Sequence, residues 1–186
     1  MIVQEARELA QKSMSKQRFK HTLGVAEMAR KLAVLNAMEL DKPLIAAYLH
    51  DVAKEVPIKR QLELAREWGL LNYPEDETAP KVLHGPIAAH WLKQERGLNS
   101  EICAAIAHHT LGAPGMSRLE MLIYSADMVE PGRDFPEVDK LRQALYDDLE
   151  KGTLVCVEHT LNYLKHNKQT IHPLTLKTYE DLQRRI

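Results

Sequence analysis

The sequence is short of most features that mark secreted, membrane-bound or nucleic-acid-binding proteins. It has only two cysteines in 186 residues. Cys103 and Cys156 lie far apart in apolar runs of helical character, so buried free thiols are expected rather than a disulfide or a thiolate metal site. Long apolar runs are missing, and the opening MIVQEARELAQK contains neither a signal core nor a membrane span, so the chain reads as cytoplasmic. An excess of one charge is missing as well. The 25 Lys plus Arg nearly balance 26 Asp plus Glu, and the net charge of −1 provides no field to gather nucleic acid or anionic lipid. Any phosphate must therefore be bound locally. There is no repeat, no Gly/Ser linker and no convincing strand. Phe and Trp number two each, whereas histidine reaches nine. With 45% hydrophobic residues, the chain can form one compact domain that buries roughly 70% of its unfolded surface.

The punctuation by Pro and Gly suits helix ends, and the apolar spacing is helical throughout. Ser15 is expected to cap a helix reaching about Met38, with Val25, Met28, Leu32 and Leu35 on its apolar stripe and His21 one turn before it. A second helix is expected from Asp41 to Pro57, apolar almost all round, and a third from Pro57 to Trp68, ended by Gly69. NYPEDETAPK reads as a loop. Pro86 opens the next helix, which Gly97 ends, so His84 stands at a helix entrance. Ser100 caps EICAAIAHHT, whose phase turns His109 inward and His108 toward the rim. Ser117 and Glu120 form a capping-box pattern for a helix that carries Asp127 and stops at Pro131. Two or three helices follow Pro136, with Gly152 and Pro173 as breaks.

Six ionisable residues fall on apolar faces or at the helix entrance: His21, His50, Asp51, His84, His109 and Asp127. Taken singly, an inward His is more often a core residue with a satisfied partner than a ligand. Five segments each sending such groups inward require a shared counter-charge, because buried unpaired charge is costly. A divalent metal centre supplies one. Mixed imidazole and carboxylate donors suit Fe, Mn, Zn, Co or Ni, and six donors suffice for two ions if Asp51 bridges. Two such ions would share a water and lower its pKa for attack on phosphorus. His90, His159, His166 and His172 read as structural, and Trp68 and Trp91 as core or pocket wall.

The stretches RFKHTLGVAEMA, LHDVAKE, LHGPIAAH and AHHTLGAPGMSRLEMLIYSADMVEPGRDFP resemble the HD-domain phosphohydrolase superfamily. Within it, the LHGP, HT-x-G-x-PGM and YSAD-x-x-EP-x-R patterns are similar to the YqeK family of symmetrical diadenosine tetraphosphate hydrolases. The resemblance implies an all-α, single-domain HD-type helical bundle over residues 1–186, with the metal-binding core at about 15–140 and C-terminal helices at about 137–186. It implies two divalent ions, iron foremost, held by His21, His50, Asp51, His84, His109 and Asp127. It also implies hydrolysis of diadenosine tetraphosphate to two ADP. Where the family has a Tyr before its His-Thr pair this chain has His108, so His108 and His109 both stay open as the ligand, with helical phase favouring His109.

In this reading Asp51 bridges, His21, His50 and Asp127 hold one ion, and His84 and His109 hold the other. Lys54, one turn after the HD pair, would place a point charge on developing phosphate oxygens, as the HDxxK form of related hydrolases suggests. Arg133 would clamp a further phosphate, and Thr110, Gly112 and the Pro114-Gly115 turn would line the pocket. Partners are then a dinucleoside polyphosphate or another nucleotide, with a homodimer left open. Two alternatives share these residues: an HD hydrolase of a nucleoside monophosphate, dNTP, alarmone or cyclic dinucleotide, and a non-catalytic metal- or nucleotide-binding module.

Overall fold

A computed structural model describes all residues from Met1 to Ile186, as eleven α-helices and one 3-10 turn, with no strand. The opening segment, to which the sequence reading gave no element, is α1 (Val3–Ser13), docked through Ala6 and Ala10. α2 (Lys16–Leu35) starts where expected, because the Ser15 hydroxyl accepts from the Arg18 N–H. Val25, Met28 and Leu32 are buried, but Leu35 is 52% exposed, since the stripe runs off the end of the helix.

α3 (Asp41–Leu49) is shorter than its apolar pattern predicts. Beyond Leu49 the backbone bonds skip three residues instead of four, from Val52 N–H to Leu49 O, Lys54 N–H to Asp51 O and Val56 N–H to Ala53 O. This tighter winding re-aims the side chains of His50 and Asp51. α4 (Ile58–Glu67) ends before Gly69, whose φ is +65°. The stretch expected as a loop instead holds α5 (Pro74–Thr78) and the 3-10 turn Pro80–Val82. Pro74 sits in the first turn of α5, and the Asp76 carboxylate accepts from the N–H groups of Asn72 and Tyr73.

α6 (His84–Arg96) begins two residues before Pro86, and α7 (Ser100–His108) is capped by Asn99 rather than Ser100. α8 (Arg118–Val129) carries the expected box between Ser117 and Glu120. After Pro136 come α9 (Val138–Asp147), α10 (Leu149–His166) and α11 (Pro173–Arg185), the last opened by Pro173. Gly152 is not a break. It lies inside α10, where a Cβ would stand 2.6 Å from the Leu145 backbone, so it allows α9 and α10 to pack closely.

Forty-two buried hydrophobic residues form one contiguous cluster. Cys103 and Cys156 are buried free thiols, as expected. Burial pushes the Cys156 thiol up to about 12. No helix is long and apolar enough to cross a membrane. The core holds α2, α3, α6, α7 and α8 against one another, which brings the C-terminal ends of α3 and α7 to the entrance of α6 and to the flanks of α2 and α8.

Candidate metal centre

The helix ends deliver His50 and Asp51 from the turn after α3, His84 from the start of α6 and His109 from the end of α7. The sides of α2 and α8 deliver His21 and Asp127. All six expected residues meet. His50 and His84 are fully buried, and Asp51 is 3% exposed.

Asp51 divides the cluster. Its Oδ1 lies 3.1 Å from His84 Nε2 and 3.6 Å from His109 Nε2. Its Oδ2 lies 3.5 Å from His50 Nε2 and 3.9 Å from His21 Nε2. Asp127 Oδ1 stands 3.0 Å from His21 Nε2 and 4.0 Å from His50 Nε2, so it belongs to the second set. One carboxylate thus faces two groups of imidazoles with its two oxygens.

The orientation of the rings follows one rule. His50 Nδ1–H donates to Ala47 O at 2.7 Å, His84 Nδ1–H to Lys81 O at 2.8 Å and His109 Nδ1–H to Ile106 O at 2.7 Å, each a carbonyl three residues back. His21 Nδ1–H donates to Glu130 Oε1 at 3.1 Å. With every Nδ1 proton committed to an acceptor, the neutral tautomer directs each Nε2 lone pair into the common space. There His84 Nε2 and His109 Nε2 approach to 2.9 Å, and the buried Nε2 atoms of His21 and His50 have no hydrogen-bond partner. Imidazole nitrogens converging beside two carboxylates, two of the nitrogens buried without a hydrogen-bond partner, are what a cation offsets, so this donor set fits a metal. His21, His50 and Asp127 could hold an ion by their spacing, as could His50, Asp51 and His109.

Titration behaviour agrees with a centre rich in charge. Burial alone would raise Asp51, but the His50, His109 and His84 imidazoles outweigh it and hold the carboxyl far below its usual range. Asp127 is held down in the same way, burial being outweighed by the imidazoles of His21, His50 and His109. Burial dominates for His84, lowering it to about 4, so its ring is neutral at neutral pH. For His50 burial is overcome by Asp51, and its pKa is raised.

Lys54, Thr110 and Arg133 border the cluster. Lys54 Nζ is 3.2 Å from His84 Nε2, and burial lowers its pKa. Thr110 Oγ1 is 3.1 Å from His109 Nε2. Arg133 Nη2 donates to Asp127 Oδ1 at 3.1 Å, and its Nε to Asp127 O at 3.2 Å. His108 stays outside, its Nδ1 2.6 Å from Glu120 Oε1, so the structure puts His109 rather than His108 in the cluster.

Two residues were missed by sequence reasoning. Arg18 Nη1 donates to Asp51 Oδ2 at 2.9 Å, and Glu130 accepts from His21 and from Gly132 N–H. Each is a charged residue three positions from a ligand candidate, Arg18 before His21 and Glu130 after Asp127, and that spacing was the available signal.

An all-helical bundle that gathers four histidines and two aspartates from five elements defines a metal-dependent HD-type protein. The chain belongs to the HD domain family, whose model matches residues 18–141. It is similar to proteins named "Bis(5'-nucleosyl)-tetraphosphatase, symmetrical". The one from Halalkalibacterium halodurans is 35% identical over 96% of this chain and 95% of that protein. The one from Bacillus subtilis is 33% identical, over 95% of each chain. A crystal structure from Clostridium acetobutylicum, described as a predicted HD superfamily hydrolase involved in NAD metabolism, superposes with a TM-score of 0.92. It is 32% identical and covers 98% of this chain and 97% of that one.

Proposed function

We propose that this chain hydrolyses the central phosphoanhydride of diadenosine tetraphosphate, giving two ADP. The observation that carries the chemistry is Asp51 presenting one oxygen to each of two imidazole sets. The near full-length similarity to symmetrical tetraphosphatases carries the substrate. The 42-residue core, drawn from Ala6 to Leu182, supports reading residues 1–186 as one domain.

His21, His50 and Asp127 with Asp51 Oδ2 would hold one divalent ion, and His84 and His109 with Asp51 Oδ1 the other. Iron is the first choice, with Mn, Co, Ni or Zn compatible with the same donors. Bound ions would supply an acidified water and neutralise phosphate charge. The chain's own residues do the positioning. Asp51, anchored by Arg18, fixes the separation of the two imidazole sets. Glu130 and the Ala47, Lys81 and Ile106 carbonyls hold the four rings in the tautomer that leaves Nε2 free. Lys54 and Arg133, at opposite borders, place positive charge where phosphate oxygens develop negative charge. Thr110 offers a hydroxyl beside His109.

The test is a nucleotide panel with product analysis, run together with metal determination. The wild-type protein should yield two ADP per diadenosine tetraphosphate, without AMP plus ATP, and contain two ions. Asp51→Ala should lose both metal and turnover, and full activity in that variant refutes the bridge. Faster cleavage of a mononucleotide, an alarmone or NAD would replace the substrate while keeping the centre. Stoichiometric metal without turnover on any phosphate ester would favour a binding module.

A further inference from the structure

The inward rings do not rest on equally firm supports. Ala47 and Ile106, whose carbonyls hold His50 and His109, are fully buried inside α3 and α7. Lys81, whose carbonyl holds His84, is exposed and sits on the 3-10 turn Pro80–Val82, which buries no residue. α5, just before that turn, buries no apolar side chain either. From Arg66 to Val82 the one buried residue is Asp76. A carboxylate thus stands where an apolar anchor is the ordinary choice. Its Oδ2 accepts from the Asn72 and Tyr73 N–H groups at 2.8 and 2.9 Å, and its Oδ1 accepts from His172 Nε2–H at 3.1 Å. The other nitrogen of His172 fixes that tautomer, since Nδ1 accepts from the Leu174 N–H and so caps α11. α11 is itself firmly held: Thr178 and Leu182 are fully buried, and Asp181 Oδ2 accepts from the Gly115 N–H at 2.8 Å.

We propose that His172 and Asp76 are positioning residues for the metal centre, tying α5 to α11 so that the Lys81 carbonyl stays where it fixes the His84 ring. The inference rests on the two-ion reading above and extends the supports of the second ion to the C-terminal helix, which lies outside the residues 18–141 matched by the HD model. The path is continuous. It runs from α11 through the His172–Asp76 bond into α5, then by Ala79 N–H to Glu75 O and Leu83 N–H to Pro80 O across the 3-10 turn that carries Lys81. The Tyr73 ring, edge-on to His172 at 5.1 Å between centroids, packs on the same tie. With the tie cut, no buried side chain holds the segment before Leu83, the Lys81 carbonyl moves, and the His84 ring is free to turn its Nε2 away from that of His109. The supports of His21 and His50 lie on other elements and are untouched. His172, read from sequence as structural, gains a role here.

Zinc binding to the full chain, followed ring by ring, tests this without substrate. His172→Asn keeps the cap of α11, because Asn is among the best N-cap residues, and removes the bond to Asp76. His172→Gln carries an amide N–H at the reach of Nε2 and restores that bond. Nitrogen-edited NMR of the zinc-loaded protein resolves each imidazole, and a graded chelator then draws the ions out. In His172→Asn the His84 Nδ1–H should exchange with water faster, and zinc at His84 and His109 should be held about ten-fold more weakly. His21 and His50 should keep their wild-type behaviour, and His172→Gln should return His84 close to its own. Circular dichroism on both variants confirms the fold. Unchanged His84 exchange and zinc affinity in His172→Asn overturn the proposal. So does a loss shared equally by all four rings, which would make the pair a support of the whole fold, or a loss that His172→Gln leaves in place. Failure of the two-ion reading shows separately, as wild-type protein that takes up one zinc or none, and failure of the tetraphosphatase reading shows in the product analysis.

Discussion

Each of the four imidazoles in the cluster has one nitrogen tied to the protein and one turned inward, but the ties are not alike. Three are backbone carbonyls, which no substitution removes, and the fourth is the Glu130 carboxylate on His21. Gly24, one turn after His21, makes the room, since a Cβ there would lie 2.3 Å from Glu130 Oε2. Glu130→Ala should therefore free the His21 ring and weaken one ion of the two, with metal affinity or turnover falling about 10- to 100-fold. Glu130→Gln, which keeps an acceptor oxygen, should recover most of that loss. Metal titration alongside kinetics reads both variants, and an alanine variant that keeps two tight ions and its full rate would show that Glu130 does not orient His21. The ligand candidates themselves were legible in the sequence because an ionisable residue on an apolar helical face stands out. Arg18 and Glu130 were not, because charge at a helix flank or before a proline is ordinary and their partners lie 33 and 109 residues away.

The starts of α2 and α8 were legible in the sequence, whereas α1 and α5, the cap of α7 and the end of α3 were not. Ser117 and Glu120 announce α8 by a pattern that depends only on local hydrogen bonding, and the structure forms it. The early end of α3 and the continuity of α10 depend on what packs against them, and periodicity along one chain does not carry that information. Gly152 reads as a break in isolation, yet its missing side chain is what the Leu145 backbone requires. Gly152→Ala should force α9 and α10 apart at a cost of about 1–3 kcal/mol, seen as a lower melting temperature. The metal cluster lies on other elements, so turnover per folded molecule should hold. An unchanged melting temperature would mean that the contact relaxes freely. Glu120 gives a second prediction at this scale. Burial would raise its carboxyl, but the hydrogen bonds from His108 and Ser117 outweigh burial and hold it below the ordinary 4.5. A carboxylate whose pKa is depressed by folding stabilises the fold above its unfolded value and loses that contribution as pH falls through the folded value. Glu120→Gln should thus be less stable than wild type at pH 7, by up to about 1 kcal/mol. The gap should close in acid, once the pH falls below the depressed folded-state value and both side chains are neutral. A gap that persists in acid would assign the effect to packing instead.

Considered as a whole, the molecule places its most costly groups where five elements meet, while the contiguous apolar core surrounds that point. The core is expected to keep the chain folded without metal. In that state the cluster keeps its own charge balance, with the His50 pKa raised by Asp51 despite full burial. That balance is incomplete, because burial lowers His84 to about 4 and its Nε2 stands 2.9 Å from that of His109. Metal then adds stability by mass action, about 4 kcal/mol at a free concentration a thousand times the dissociation constant. For a chain of this length each kcal/mol shifts the melting temperature by about 2–4 °C. Chelation followed by dialysis should therefore lower the melting temperature by roughly 10 °C while the helical signal at 222 nm stays near its original value. Restoring the metal should return the transition to its starting point. A melting temperature indifferent to chelator, in protein shown to have carried two ions, would mean that the ions bind the folded and unfolded chains alike, and the pre-oriented Nε2 cluster would not be their site.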